Sequence, residues 1–96
     1  MEPTASELLE LVSLYPKNYQ LWQFIHAKVT DFSLKASILS KAIEYDSKNY
    51  HAWEVLIGTP SLLDFGDTLS KTVLENDKEN NSAKNYRLVN DLMIVT

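Results

Sequence analysis

The chain has 96 residues, 45% apolar and 23% charged, which is enough for one small globular unit and one core. Its net charge of −4, with both signs interspersed, leaves no basic block to neutralise phosphates and argues against a nucleic-acid partner. Without cysteine it has no disulfide, thiol nucleophile or thiolate metal site, and two glycines with three prolines fit helices better than a many-turned β fold.

Residues 1–15 lack the basic start and unbroken apolar core of a signal peptide. No apolar run is long enough for a bilayer, so the chain is expected to be soluble, cytoplasmic and without a membrane span.

Pro3-Thr4 opens the first predicted helix, with Thr4 and Glu7 at capping-box spacing. Ala5, Leu8, Leu9, Val12 and Tyr15 form its apolar stripe, and Pro16 stops it. Asn18 is placed to cap a second helix carrying Leu21, Trp22, Ile25 and Val29 and ending near Thr30-Asp31. Ser33 is the expected cap of a third, with Leu34, Ile38, Leu39, Ala42 and Ile43 on its buried side. After the turn Asp46-Ser47-Lys48-Asn49, Asn49 caps a fourth helix bearing Trp53, Leu56 and Ile57, which Gly58-Thr59-Pro60 ends. A fifth helix starts at Ser61 to Asp64, or after Gly66 at Asp67, and turns Leu69, Val73 and Leu74 inward. Glu75 to Ser82 reads as a polar turn, and a sixth helix from about Ala83 buries Tyr86, Val89 and Met93.

Two of these helix starts are near-copies. Lys17-Asn18-Tyr19-Gln20-Leu21-Trp22 returns as Lys48-Asn49-Tyr50-His51-Ala52-Trp53, 31 residues on. A weaker third copy, Asn80-Asn81-Ser82-Ala83-Lys84, keeps that spacing with lysine in the tryptophan place. A fixed period with a repeated cap and a repeated aromatic predicts an all-α superhelix of helical hairpins, a solenoid of about two and a half to three repeats filling residues 1–96. The Lys-Asn-Tyr at 84–86 breaks the period and is coincidental. The apolar end Met93-Ile94-Val95 is unlike a wettable terminal unit, so a longer array or a partner covering this end is expected.

The segments Tyr15-Pro16-Lys17-Asn18-Tyr19-Gln20-Leu21-Trp22 and Asp46-Ser47-Lys48-Asn49-Tyr50-His51-Ala52-Trp53 resemble successive repeats of the protein prenyltransferase α subunit. The likeness is to the subunit shared by protein farnesyltransferase and geranylgeranyltransferase type I. Leu74-Glu75-Asn76-Asp77 with Asn80-Asn81-Ser82 and Arg87 looks like the next repeat, so the resemblance spans roughly residues 15–90.

The resemblance implies a crescent of hairpins around a β subunit, which holds the catalytic zinc and most of the isoprenoid pocket. Zinc, with magnesium as an optional second ion, would belong to the β subunit or its substrate, leaving no cofactor on this chain. By motif, the family's active-site lysine falls on Lys17 and its tyrosine on Tyr19, while Tyr50 and His51 match the diphosphate-side pair. Gln20 matches the glutamine that meets the CaaX carboxylate, and Lys48, the counterpart of Lys17, is assigned to substrate binding. Prenyl transfer builds negative charge on a leaving diphosphate, which a lysine cation and fixed Tyr or His donors stabilise.

Two features, the missing arginines and the short length, favour a different reading, a non-catalytic helical-repeat scaffold of the same descent. Ile25 and His26, and Leu56 and Ile57, stand where the family's repeats usually carry arginines, and only Arg87 keeps one. The chain is shorter than a full α subunit. Asn18, Asn49, Trp22 and Trp53 are also explained as caps and core. An autonomous enzyme is not expected, because no nucleophile–base pair, phosphate-binding glycine loop or metal set is present, with His26 and His51 the only good nitrogen ligands. The small-residue and proline pattern of tetratricopeptide binders is missing as well.

Overall fold

The computed structural model describes the backbone of residues 4–95 and the side chains of residues 4–92. Six α-helices follow one another, and no strand occurs among the described residues: α1 (Ala5–Leu14), α2 (Tyr19–Lys28), α3 (Phe32–Tyr45), α4 (Tyr50–Ile57), α5 (Leu63–Asn76) and α6 (Asn81–Val95). A single 3₁₀ turn, Pro60–Leu62, joins α4 to α5. The Cα radius of gyration is 12.9 Å, against about 13 Å for a compact chain of about 100 residues.

Local chemistry fixes the helix starts. Thr4 and Glu7 close the expected capping box on α1. Asn18 Oδ1 accepts from the Leu21 amide, Asn49 Oδ1 from His51 and Asn80 Oδ1 from Ala83, so the three periodic asparagines cap α2, α4 and α6. The cap of α3 is Asp31 rather than Ser33, since its carboxylate takes both the Ser33 and the Leu34 amide. With the new helix entered at Asp31, α2 stops at Lys28, short of the expected Thr30. The sixth helix likewise begins at Asn81, two residues before Ala83, because Asn80 is its cap.

Gly66 does not delay α5. It lies inside that helix, where the absence of a side chain admits the Tyr86 ring from α6. The residues that α5 buries are therefore Gly66 and Ser70, small enough for close helix approach, while Leu69, Val73 and Leu74 are half-buried.

The core runs through Leu8 and Val12 of α1, Trp22 and Ile25 of α2, Ile38, Leu39, Ala42 and Ile43 of α3, and Trp53 and Leu56 of α4. Ala5 and Tyr15 of the expected first stripe face solvent instead. Tyr86 is buried as expected and Val89 half-buried, whereas the Met93 side chain lies outside the described residues.

Helix α1 packs on α3, α2 on α4, and α4 on α6, so neighbours in space are often next-but-one in sequence. Polar bonds recur along that direction. The Pro16 carbonyl accepts from Trp22 Nε1 (2.7 Å) and from Asn49 Nδ2 (2.8 Å). The Ser47 carbonyl, 31 residues on, accepts from Trp53 Nε1 (2.9 Å) and from Asn80 Nδ2 (2.9 Å). Each asparagine thus caps its own helix through Oδ1, while Asn49 and Asn80 tie back to the preceding turn through Nδ2. No buried side-chain nitrogen or oxygen among the described residues is left without a partner.

Candidate functional site

Packing α2 against α4 brings the starts of the two near-copies side by side and leaves a groove of about 540 Å³ between them. Tyr19, Trp22, Gln23 and His26 form the α2 wall, with Ala27 at its end, and His51, Glu54 and Val55 form the α4 wall. On α2 these positions follow the i, i+3, i+4, i+7 spacing that keeps residues on one helix face.

Tyr19 is 60% exposed, Tyr50 59%, and His51 only 8%. The His51 ring lies 4.1 Å, centroid to centroid, from that of Tyr50 and 6.3 Å from that of Tyr19. Neither ring nitrogen of His51 has a hydrogen-bond partner among the described residues, yet no buried polar atom is orphaned. Its polar edge therefore meets the solvent of the groove. Gln23 Nε2 donates to Tyr19 Oη at 3.0 Å, so the tyrosine's own proton is free to be given to something else. A buried imidazole and the Tyr19 hydroxyl at this groove, with the Tyr50 ring beside the imidazole, suit hydrogen bonding to an anionic oxygen.

The other candidates stand at the ends of this arrangement. Lys17 and Lys48 are exposed in the two turns, free of ion pairs among the described residues, and do not line the groove. Gln20, next to Tyr19, is exposed and does not line the groove. Of the six residues singled out by sequence, Tyr19, Tyr50 and His51 come together, while Lys17, Lys48 and Gln20 surround the helix starts as solvated side chains.

Five groove residues lie outside the motifs: Gln23, His26, Ala27, Glu54 and Val55. Gln23 and Glu54 occupy equivalent places in the two copies, 31 residues apart, a signal that the period could have supplied. His26, read as structural, has its ring against the backbone of Gly58, where a Cβ would run into Cε1. The small residue at 58 is what allows this seat.

Arg87, the one arginine kept in the family's place, is engaged within the chain. Its Nη1 reaches Asp67 Oδ1 at 3.0 Å and Ser70 Oγ at 3.2 Å. Hydrogen bonding to Lys71, then the nearby cations Lys71 and Arg87, holds the Asp67 carboxyl below its ordinary range.

Among the described residues no cluster of three His, Asp or Glu side chains is disposed to hold a metal ion, and no helix is long and apolar enough to cross a membrane. Comparison with family models, with curated proteins and with solved structures finds no match to this chain.

Proposed function

We propose that this chain is an α-subunit-like component of a heterodimeric protein prenyltransferase of the farnesyltransferase or geranylgeranyltransferase type I kind, built as an α-α superhelix of hairpins and acting in the cytoplasm. The observation that carries the reading is the meeting of Tyr19 and His51, from two equivalent helix starts, at one groove, with the Tyr50 ring against that of His51. The repeated caps and the repeated tryptophan–carbonyl and asparagine–carbonyl bonds support the hairpin array.

In the reaction the C–O bond of a prenyl diphosphate breaks, a C–S bond forms to the cysteine of a C-terminal CaaX sequence, diphosphate leaves and the thiol proton is lost to solvent. A zinc ion held by the β subunit would stabilise that cysteine as its thiolate. The contribution of this chain is a set of donors for the leaving diphosphate: the Tyr19 and Tyr50 hydroxyls, the His51 imidazole and the Lys17 ammonium, with Gln20 and Lys48 on the substrate side. Lys17 is free of ion pairs among the described residues, which leaves its charge available when the partner closes over the turn.

Co-expression with a farnesyltransferase-type β subunit, followed by co-purification and prenyl transfer to a CaaX peptide, tests this. Turnover in the complex that falls by about 10²–10³ in Lys17→Ala is expected, the usual loss when one donor to developing charge is removed. Unchanged turnover in Lys17→Ala, or no complex at all, overturns it. The second reading, a non-catalytic helical-repeat scaffold, is favoured by the engagement of Arg87 within its own hairpin rather than at a partner-facing surface. A stable chain with no affinity for the β subunit is its signature.

A further inference from the structure

Positions related by 31 residues differ sharply in burial between the first copy and the other two. Asn49 and Asn80 are 2% and 0% exposed, whereas Asn18 is open to solvent. Ala52, Ala83, Val55 and Tyr86 are buried, whereas their first-copy counterparts Leu21 and Phe24 are half-buried. The later copies are covered by what precedes them. Asn49 and Asn80 donate to the Pro16 and Ser47 carbonyls, the Tyr86 ring lies 5.6 Å from that of Trp53, and Gly58 lies under the His26 ring.

The groups that do this covering have counterparts in the third copy, facing outward. The Lys78 carbonyl matches Pro16 and Ser47 and has no donor among the described residues. Lys84, in the tryptophan place, and Leu88, in the His26 place, are both exposed, Leu88 to 59%.

We propose that the open face of the first copy (Asn18, Leu21 and Phe24) stacks on the back of the third copy (the Lys78 carbonyl, Lys84 and Leu88) of a second molecule of this chain. Asn18 Nδ2 donates to the Lys78 carbonyl, as Asn49 and Asn80 do within the chain. Phe24 lies over the Lys84 ammonium, a cation–π contact where Tyr86 internally meets Trp53. Leu88 lies at the edge of this contact, in the place from which His26 meets Gly58 within the chain. The contact joins two different surfaces, so it is head-to-tail and extends into open oligomers unless its rotation closes a ring. Lysine in place of tryptophan makes it weaker than the internal joints and dependent on concentration. The inference rests on the stacked-hairpin reading and not on prenyl transfer.

Sedimentation velocity of the full chain alone, over a concentration series, tests it. The expected result is a sedimentation coefficient that rises with concentration. Phe24→Glu and Leu88→Glu, each on a partly or fully exposed position, are each expected to be monomeric with unchanged helical circular dichroism. Mixed in equal amounts they are expected to give a dimer and nothing larger, since each supplies the face the other has lost. Should Phe24→Glu lose helicity, Asn18→Asp takes its place, because it keeps the cap and reverses the polarity of the intermolecular bond. A wild-type chain that is monomeric throughout, a variant that still associates like wild type, or a mixture without dimer overturns the proposal. A monomer that nonetheless co-purifies with a β subunit overturns self-stacking alone and leaves the prenyltransferase reading standing.

Discussion

Gly66 marks the closest approach of α6 to α5. A methyl at that position would overlap the Tyr86 hydroxyl and its ring carbons Cζ and Cε1. Tyr86 has little room to yield, being 3% exposed with its ring against Trp53. Alanine in a helix gains about 1 kcal/mol over glycine, but forcing extra volume into a packed site costs about 1–3 kcal/mol. Gly66→Ala is therefore expected to destabilise by up to about 2 kcal/mol, read as a lower urea midpoint at unchanged slope. Thr68→Ala, on the exposed side of the same helix, serves as the control and is expected to be neutral or slightly stabilising. Tyr86→Phe does not rescue Gly66→Ala, since the ring carbons remain in the way.

Lys35 is a second residue whose surroundings decide its behaviour. It is 5% exposed, donates from Nζ to the His26 carbonyl at the end of α2, and has its pKa lowered from 10.5 by burial. The folded chain thus sheds this proton at a lower pH than the unfolded chain, which binds more protons in the window between the two values. Stability contributed by Lys35 is full above 10.5 and is lost as pH falls through the lowered folded value. Tyr86 works in the opposite sense: burial, then the charge of Asp67, raises its pKa above 10.0, so its contribution is lost on the alkaline side. Unfolding free energy is expected to climb toward pH 10 and fall beyond it. In Lys35→Met the climb should vanish and the fall remain. A climb that survives in Lys35→Met would assign it to another group.

At the scale of the helices, one side chain performs two tasks at different distances. Asparagine and aspartate are equally good caps, so Asn→Asp keeps the bond to the helix amide. It replaces the Nδ2 donor, however, by an oxygen facing a carbonyl. Only Asn49 and Asn80 use that donor, on Pro16 and Ser47. Asn49→Asp and Asn80→Asp are expected to cost about 1–3 kcal/mol each, the range for leaving a buried polar group unsatisfied. Asn18→Asp should change stability by about 0.5 kcal/mol at most. Equal effects at the three positions in chemical denaturation would mean that the ties between copies contribute nothing.

The same two tasks explain what could be read in advance. Capping spans three residues, so Thr4, Asn18 and Asn49 were legible as helix starts. Asp31 was not, because Ser33 offered an equally plausible local cap, and only the carboxylate taking two amides decides between them. The Nδ2 bonds reach 33 residues back, and the groove requires knowing that α2 lies on α4. Hence Tyr19, Tyr50 and His51 could be named from motif and Gln23 and Glu54 were open to the period, while the seat of His26 on Gly58 followed only from packing. Gly66 misled for a related reason: glycine disfavours a helix locally, and the ring that makes it necessary arrives from 20 residues further on.

For the molecule as a whole, the question is whether it opens as one unit or hairpin by hairpin. Helices α1 and α2 meet α3 and α4, and two polar ties cross that joint: Asn49 to the Pro16 carbonyl and Lys35 to the His26 carbonyl. Both donors belong to the second hairpin. At the other end α5 and α6 are held by Arg87 on Asp67 and Ser70 and by Tyr86 against Gly66. An array of stacked units has a stability that is roughly a sum of unit and interface terms, so weakening one interface frees the unit beyond it. The double variant Lys35→Met/Asn49→Ala removes both ties at the first joint, at a cost of about 1 kcal/mol for each lost bond. By hydrogen exchange, the amides of α1 and α2 are then expected to lose about 10- to 100-fold in protection, since each 1.4 kcal/mol is about tenfold. The first turn of α4 should change too, because Asn49 is its cap, while α5 and α6 keep their wild-type rates. Parallel loss across all six helices would mean that the core from Leu8 to Tyr86 opens cooperatively, and the hairpin-by-hairpin picture would have to be abandoned.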